Sequence, residues 1–265
     1  MTETELQTPT GSLILKRFPV RAGDRLRAWD AADELLMTHL HEQNKMLAGV
    51  ERILVFDDQF GALTCYLYKT LRAQATPCAI DVMTDSLISQ QAINQNMECN
   101  GFDTGAINFV DNTDIKPCQY DLIVYKLPRN HGYFADVMQR LRVTMNADTV
   151  IVGGGMVKYM PKTVLSMLSE TIGETSTSLA TKKARLIFSG YNHDLQSDNP
   201  YPTTYSIDEI DVELLNHSNV FSRESLDIGT RLLLAVMPET DDKQTIVDLA
   251  CGNGVVGISA AQLNP

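Results

Sequence analysis

No two of the five cysteines (65, 78, 99, 118 and 251) stand in C-x-x-C spacing, and their number is odd. This excludes a disulfide framework and a zinc ribbon, and reads as free thiols in a reducing, cytoplasmic setting with no disulfide-linked partner. The five histidines (39, 41, 131, 193 and 217) lack a Cys or second His at ligand spacing, so no metal is expected. The longest aliphatic run, residues 232–237, falls far short of the roughly 20 residues that cross a bilayer, and the polar start with Glu3 and Glu5 lacks the pattern of a signal peptide. Membrane attachment is therefore not expected. Positive charge is scarce as well: 22 Lys and Arg stand against 33 Asp and Glu, a net charge of −11. Diffuse attraction to nucleic acid is disfavoured, and any such contact needs local clusters. Two are present, Lys16, Arg17, Arg21, Arg25 and Arg27 near the start and Lys182, Lys183 and Arg185 later.

The 265 residues are 44% hydrophobic and 21% charged, a globular composition for one large domain or two ordinary ones. Leu26, Trp29, Ala32, Leu36 and Leu40 recur at steps of three and four, which predicts a helix over 25–44. From residue 51 short apolar runs alternate with helical stretches. Strands are expected at 52–56, 79–83, 107–110, 121–125 and 149–152, and near 175–179 and 183–188. Helices are expected at 62–71, 87–100, 134–143 and 162–170. This alternation predicts an α/β fold with a doubly wound, mostly parallel sheet. Gly153-Gly154-Gly155 lacks the Lys-Ser or Lys-Thr of a phosphate cradle and reads as a flexible turn. Breaker residues concentrate between Asn192 and Pro202, which divides the chain into domains 1–195 and 196–265. The second is expected to hold a hairpin (204–207 and 212–215), a helix over 228–237, a strand over 245–249 and a helix from Val255.

Two segments share a pattern. In Ile53-Leu-Val-Phe-Asp57-Asp-Gln-Phe-Gly61-Ala-Leu63 and in Thr245-Ile-Val-Asp248-Leu-Ala-Cys-Gly252-Asn-Gly254, an apolar run delivers an acid and then a helix-opening glycine. Setting Asp57 on Asp248 places Gly61 on Gly252 and Leu63 on Gly254, either a true duplication or a chance match of short windows. A second glycine lets a ligand approach the backbone and the helix N-terminus, whereas leucine fills that space. The second copy is thus expected to hold a nucleotide and the first is not.

Asp248-Leu-Ala-Cys-Gly-Asn-Gly-Val-Val-Gly257 resembles the first motif of class I S-adenosyl-L-methionine-dependent methyltransferases. Residues 219–234 are similar to the segment before that motif in ribosomal RNA guanine-N2 methyltransferases, and Leu15-Lys-Arg-Phe-Pro19, residues 26–34 and residues 180–186 resemble the ribosomal RNA large subunit methyltransferase G family. The resemblance implies tandem methyltransferase-like domains. The first is a degenerate Rossmann-like domain that engages RNA; the second methylates N2 of a guanine in 23S ribosomal RNA. It assigns Asp248, Gly252, Asn253 and Gly254 to the cofactor. Asp227 either touches the cofactor or caps a helix, Phe221 packs either over the active site or, as favoured, in the core, and Arg223 meets either solvent or RNA. The family's Asn-Pro-Pro-aromatic motif and the ribose-binding acid do not occur before Pro265. The expectation is thus a truncated, inactive family member, or alternatively a non-enzymatic RNA-binding module. Tyr125-Lys126-Leu127-Pro128-Arg129, where the catalytic motif of the first domain would sit, reads as a decayed loop.

Overall fold

Branched and aromatic residues in runs too short for helices form the centre of the molecule, as sequence patterning dictates. The computed structural model describes residues 3–21, 23–196, 198–207, 211–240 and 242–264. Clustering of contacts divides the chain into unit 1, residues 1–197, and unit 2, residues 198–265.

Unit 1 begins with an antiparallel hairpin, β1 (Glu5–Thr8) and β2 (Gly11–Ile14), followed by helix α1 (Ala31–Glu42). Then come β3 (Arg52–Phe56), α2 (Ala62–Ala73), β4 (Ala79–Met83), α3 (Leu87–Cys99) and β5 (Ile107–Val110). β6 (Leu122–Lys126), α4 (His131–Leu141), β7 (Val150–Met156), α5 (Lys162–Thr171), β8 (Thr175–Thr177) and β9 (Ala184–Ser189) complete it. The sheet runs β5-β4-β3-β6-β7-β9-β8, with β3 to β7 parallel and β9 antiparallel to both its neighbours. Alternate residues face opposite ways. Ile53, Val55, Val82, Leu122 and Val124 pack with α1, α2 and α3, while Leu54, Phe56, Ile123, Tyr125 and Ile151 pack with α4 and α5. The order reverses between β3 and β6, the place where open α/β sheets leave a crevice beyond their carboxyl ends.

Several expectations are corrected. The first helix opens at Ala31 because Asp30 caps it: its Oδ1 accepts from the Ala32 N–H at 2.8 Å, and Asp33 Oδ2 accepts from the Asp30 N–H at 2.8 Å. Arg25 and Arg27 therefore precede the helix, and Leu26, assigned to the apolar stripe, is 62% exposed. Gly153-Gly154-Gly155 is the middle of β7 and not a turn. A Cβ on Gly153 would fall 2.1 Å from the Tyr125 ring, one on Gly154 2.7 Å from Leu36, and one on Gly155 3.0 Å from Leu127. These glycines let large neighbours lie against the strand. Residues 175–179 pair as a strand only as far as Thr177.

Unit 2 holds the hairpin β10 (Thr203–Ile207) and β11 (Val212–Asn216), then α6 (Ile228–Ala235) and α7 (Val255–Leu263). Ile207, Leu214 and Val255 form its small core. The expected strand at 245–249 has no ladder partner among the described residues, and Val247 and Leu249 are 79% and 88% exposed. A parallel strand needs a neighbour to take its N–H and C=O groups. Phe221, expected in the core, is 71% exposed. Past residue 198 the only bases are Arg223, Arg231 and Lys243, so the acidity of the chain is concentrated in unit 2.

Candidate functional site

The loop before α7 is built by backbone that few side chains tolerate. Ala250, Gly252 and Gly254 have φ of 60°, 57° and 81°, and Gly254 forms the N-cap of α7 in the left-handed region. A Cβ added to Gly252 would come no closer than 4.0 Å to Phe221 O, and one on Gly254 no closer than 4.0 Å to Ile258 Cδ1. The backbone thus stands beside open space at a helix N-terminus, as close approach of a cofactor requires. Asp248 closes the loop from below, its Oδ2 accepting from the Gly257 N–H at 3.0 Å. Asn253 is held at both ends. Its Nδ2 donates to Tyr205 Oη at 2.8 Å and its Oδ1 accepts from the Val255 N–H at 3.4 Å. These residues fit a group such as S-adenosyl-L-methionine. Asp227 caps α6, its Oδ2 accepting from the Thr230 N–H at 3.0 Å. Arg223 donates to Ser218 O at 2.8 Å, lies 3.2 Å from Glu224 and stacks over Tyr201, contacts that brace the loop it sits on.

The internal repeat is real in shape but takes another register. Gly61 is the left-handed N-cap of α2 with φ 84°, the counterpart of Gly254, and Asp57, four residues before it, has φ 59°, the counterpart of Ala250 with φ 60°. Gly61 therefore matches Gly254 and not Gly252. Gln59 and Phe60 stand where Gly252 and Asn253 stand, Val55 where Asp248 stands, and Leu63, offered as the blocking residue, is an ordinary core residue of α2. The amide that Asp248 holds in unit 2 has its match in the Thr64 N–H, held at 2.8 Å by Asp58, which also accepts from the Thr64 hydroxyl at 2.8 Å and from the Gly61 N–H at 3.1 Å. The first loop is closed by its own acid.

At the carboxyl end of β6, Lys126 is nearly enclosed. Its Nζ lies 2.9 Å from Asp30 Oδ1 and 2.6 Å from Asp33 Oδ2. Burial alone would lower its pKa, yet Asp33 and Asp30 together raise it, so the ammonium is charged. Burial pushes the Asp33 carboxyl up to about 6 against the pull of Lys126. The decayed loop of the sequence reading is thus tied into a buried ion triad. Nearby, burial and then Asp85 raise Asp57 to about 7.

The structure joins the two basic clusters. Arg27 and Lys182 both reach Glu34, at 3.4 and 2.7 Å, so segments distant in sequence meet across one carboxylate. Lys16, Arg21, Arg25 and Lys183 are exposed, and Arg17 pairs with Asp24 at 3.0 Å while lying over the Phe60 ring. Arg185 is half-buried on β9, with an Nε that finds no acceptor. Among the described residues no group of His, Cys, Asp and Glu is arranged to hold a metal, and no helix is long and apolar enough to cross a membrane.

Among solved structures, the 16S rRNA N2 G1207 methyltransferase of T. Thermophilus, in complex with AdoMet and guanosine, superposes with a TM-score of 0.56 at 17% identity, covering 88% of this chain and 57% of that one. The strand order and this likeness define a Rossmann-like methyltransferase fold. A family model described as RLMG N-terminal domain matches residues 3–193, and one described as Methyltransferase small domain matches 211–265. Ribosomal RNA large subunit methyltransferase G of Photobacterium profundum is 39% identical, over 96% of this chain and 65% of its own length. The proteins of that name from Aliivibrio salmonicida and Streptomyces coelicolor are 36% and 37% identical, over 99% and 98% of this chain and 66% and 68% of their own. The chain belongs to the ribosomal RNA large subunit methyltransferase G family. It spans about two thirds of the length of these relatives.

Proposed function

We propose that this chain supplies the RNA-engaging unit and the S-adenosyl-L-methionine loop of a cytoplasmic enzyme that methylates N2 of a guanine in 23S ribosomal RNA. The observation that carries the reading is the loop at 248–257, with Gly252 and Gly254 at positive φ opening α7 beside unfilled space. Asp248 fixes the loop through the Gly257 amide, Asn253 braces it against Tyr205, and the N-terminus of α7 faces the ligand with its amides. When bound, the cofactor supplies an electrophilic methyl group on its sulfonium. Asp227 supports the site as the cap of α6.

Unit 1 binds no cofactor in this reading, since Gln59 and Phe60 place side chains where unit 2 has a glycine and the short Asn253. It meets RNA instead through Lys16, Arg17, Arg21, Arg25 and Arg27 with Lys182, Lys183 and Arg185, which Glu34 joins into one surface. Phosphate contacts of this kind fade with salt as counterions compete.

The test is tritium transfer from labelled S-adenosyl-L-methionine to unmodified 23S RNA by the native enzyme. Gly254→Leu should abolish transfer and cofactor binding while unit 1 stays folded; retained transfer overturns the assignment of the loop. Arg25→Glu with Lys183→Glu should weaken a 23S fragment at low salt and matter less at high salt. Unchanged low-salt affinity removes the basic surface from the reading.

A further inference from the structure

We propose that the cavity of unit 1 at the carboxyl ends of β3, β6 and β7 takes one unpaired nucleotide of the RNA, its base against Tyr159 and Phe60 and its phosphate among Arg17, Arg129 and Lys158. The proposal rests on the RNA-engaging role of unit 1 and assigns it a recognition pocket.

The cavity lies where the strand order reverses, and its volume of about 380 Å³ is in the range of pockets that enclose small organic ligands. Its charge is decided by which groups are already committed. Asp30 and Asp33 are spent on Lys126, and Asp58 on the amides of Gly61 and Thr64 and the Thr64 hydroxyl. Among the described residues Arg129 and Lys158 have no carboxylate partner; both instead lie on the Tyr159 ring, 5.0 and 4.5 Å from its centre. Arg17, also paired with Asp24, lies 4.8 Å over Phe60, and Arg27, also within reach of Glu34 and Glu3, lies 5.2 Å over Trp29, so the uncommitted positive charge is that of Arg129 and Lys158. The lining is therefore cationic and aromatic in alternation, the combination that holds a nucleobase by stacking and its phosphate by charge.

Two further observations favour a base over a simple anion. Trp29 is 5% exposed and lines the cavity, yet its indole N–H finds no acceptor. A base edge offers such a donor carbonyl and ring-nitrogen acceptors, and a base, unlike an isolated phosphate, can also stack against Tyr159 and Phe60. A paired base keeps those edges in its helix, so the occupant must be unpaired. The cavity also shares Arg17 and Arg27 with the basic surface, which makes an RNA strand rather than a free nucleotide the source.

Trp29 is the sole tryptophan of the chain and reports on the cavity directly. The full chain is titrated with an RNA hairpin carrying one bulged nucleotide, with its fully paired counterpart and with guanosine monophosphate, following anisotropy of the RNA and emission of Trp29. The bulged hairpin should bind more tightly and change the Trp29 emission, and the paired one should bind with no such change. Tyr159→Ala should weaken the bulged hairpin about tenfold, as loss of one stacked base does, and leave the paired one within about twofold. Tyr159→Phe should restore it, and Lys183→Glu, outside the cavity, should weaken both alike. Equal binding of both hairpins with constant Trp29 emission overturns the pocket and leaves the basic surface standing. Binding of neither removes the RNA role of unit 1 altogether. An emission change with the mononucleotide alone overturns the RNA source. Retained binding of the paired hairpin by Tyr159→Ala shows that the variant is folded.

Discussion

Asp57 combines left-handed backbone, φ 59°, with a carboxyl raised from 3.8 to about 7 by burial and by Asp85. A carboxyl with a raised folded pKa binds more protons folded than unfolded between the two values. Its contribution to stability is therefore full at acid pH and lost as pH climbs from about 4 to about 7. Asparagine keeps the shape, accepts the left-handed region and has no charge to lose. Asp57→Asn should make the fall of stability over that window shallower, by about one proton's slope in urea unfolding at stepped pH; an unaltered slope refutes the assignment. Asp58, Asp85 and Lys126 are the charges that act on this carboxyl. Lys126 has the opposite logic. Lys126→Met should cost about 3–5 kcal/mol at pH 8 because Asp33 would be left buried without its partner, and less at acid pH, where the Asp33 carboxyl, pushed up further by burial once the lysine is gone, is neutral. Thermal unfolding at pH 5 and pH 8 separates the two. None of this was legible in the sequence: Asp33 and Lys126 are 93 residues apart, and only the fold sets them 2.6 Å from one another.

Strand and helix periods did announce the elements of unit 1, since alternate residues of β3, β4 and β6 fill two different cores and α1 and α4 each bury one stripe, while α2 is buried on every side from Ala62 to Tyr68. Reading failed where a residue's role is set by a neighbour remote in sequence. Three consecutive glycines signal a turn locally, and only the Tyr125 ring and Leu36 across the sheet explain why β7 continues through them. Gly153→Val should be among the most destabilising changes in unit 1, exceeding the about 1–3 kcal/mol usual for overpacking, because the Tyr125 ring it would displace is fully buried. Equilibrium denaturation that shows a loss under about 1 kcal/mol contradicts this. The register of the repeat failed for a related reason: aligning acids ignores φ, and it is the left-handed turn at Gly61 and Gly254 that identifies equivalent residues. The motif at 248–257 was readable because its glycines and its acid are local to one loop.

For the molecule as a whole, the lopsided distribution of charge has a kinetic meaning. With bases past residue 198 limited to Arg223, Arg231 and Lys243, a polyanion is repelled by most of unit 2 and drawn by the joined clusters of unit 1. Encounter is then steered: a polyanion is held by the basic surface of unit 1, while the acidic surface of unit 2 shortens the life of collisions made there. Stopped-flow association should slow sharply between low and physiological ionic strength. Neutralising Glu213, Glu239 and Asp242 to their amides should raise the rate of unproductive association more than that of productive capture. On the proposed function, a preference for where an RNA strand first touches is thus built into the electrostatics of the chain before any base is read.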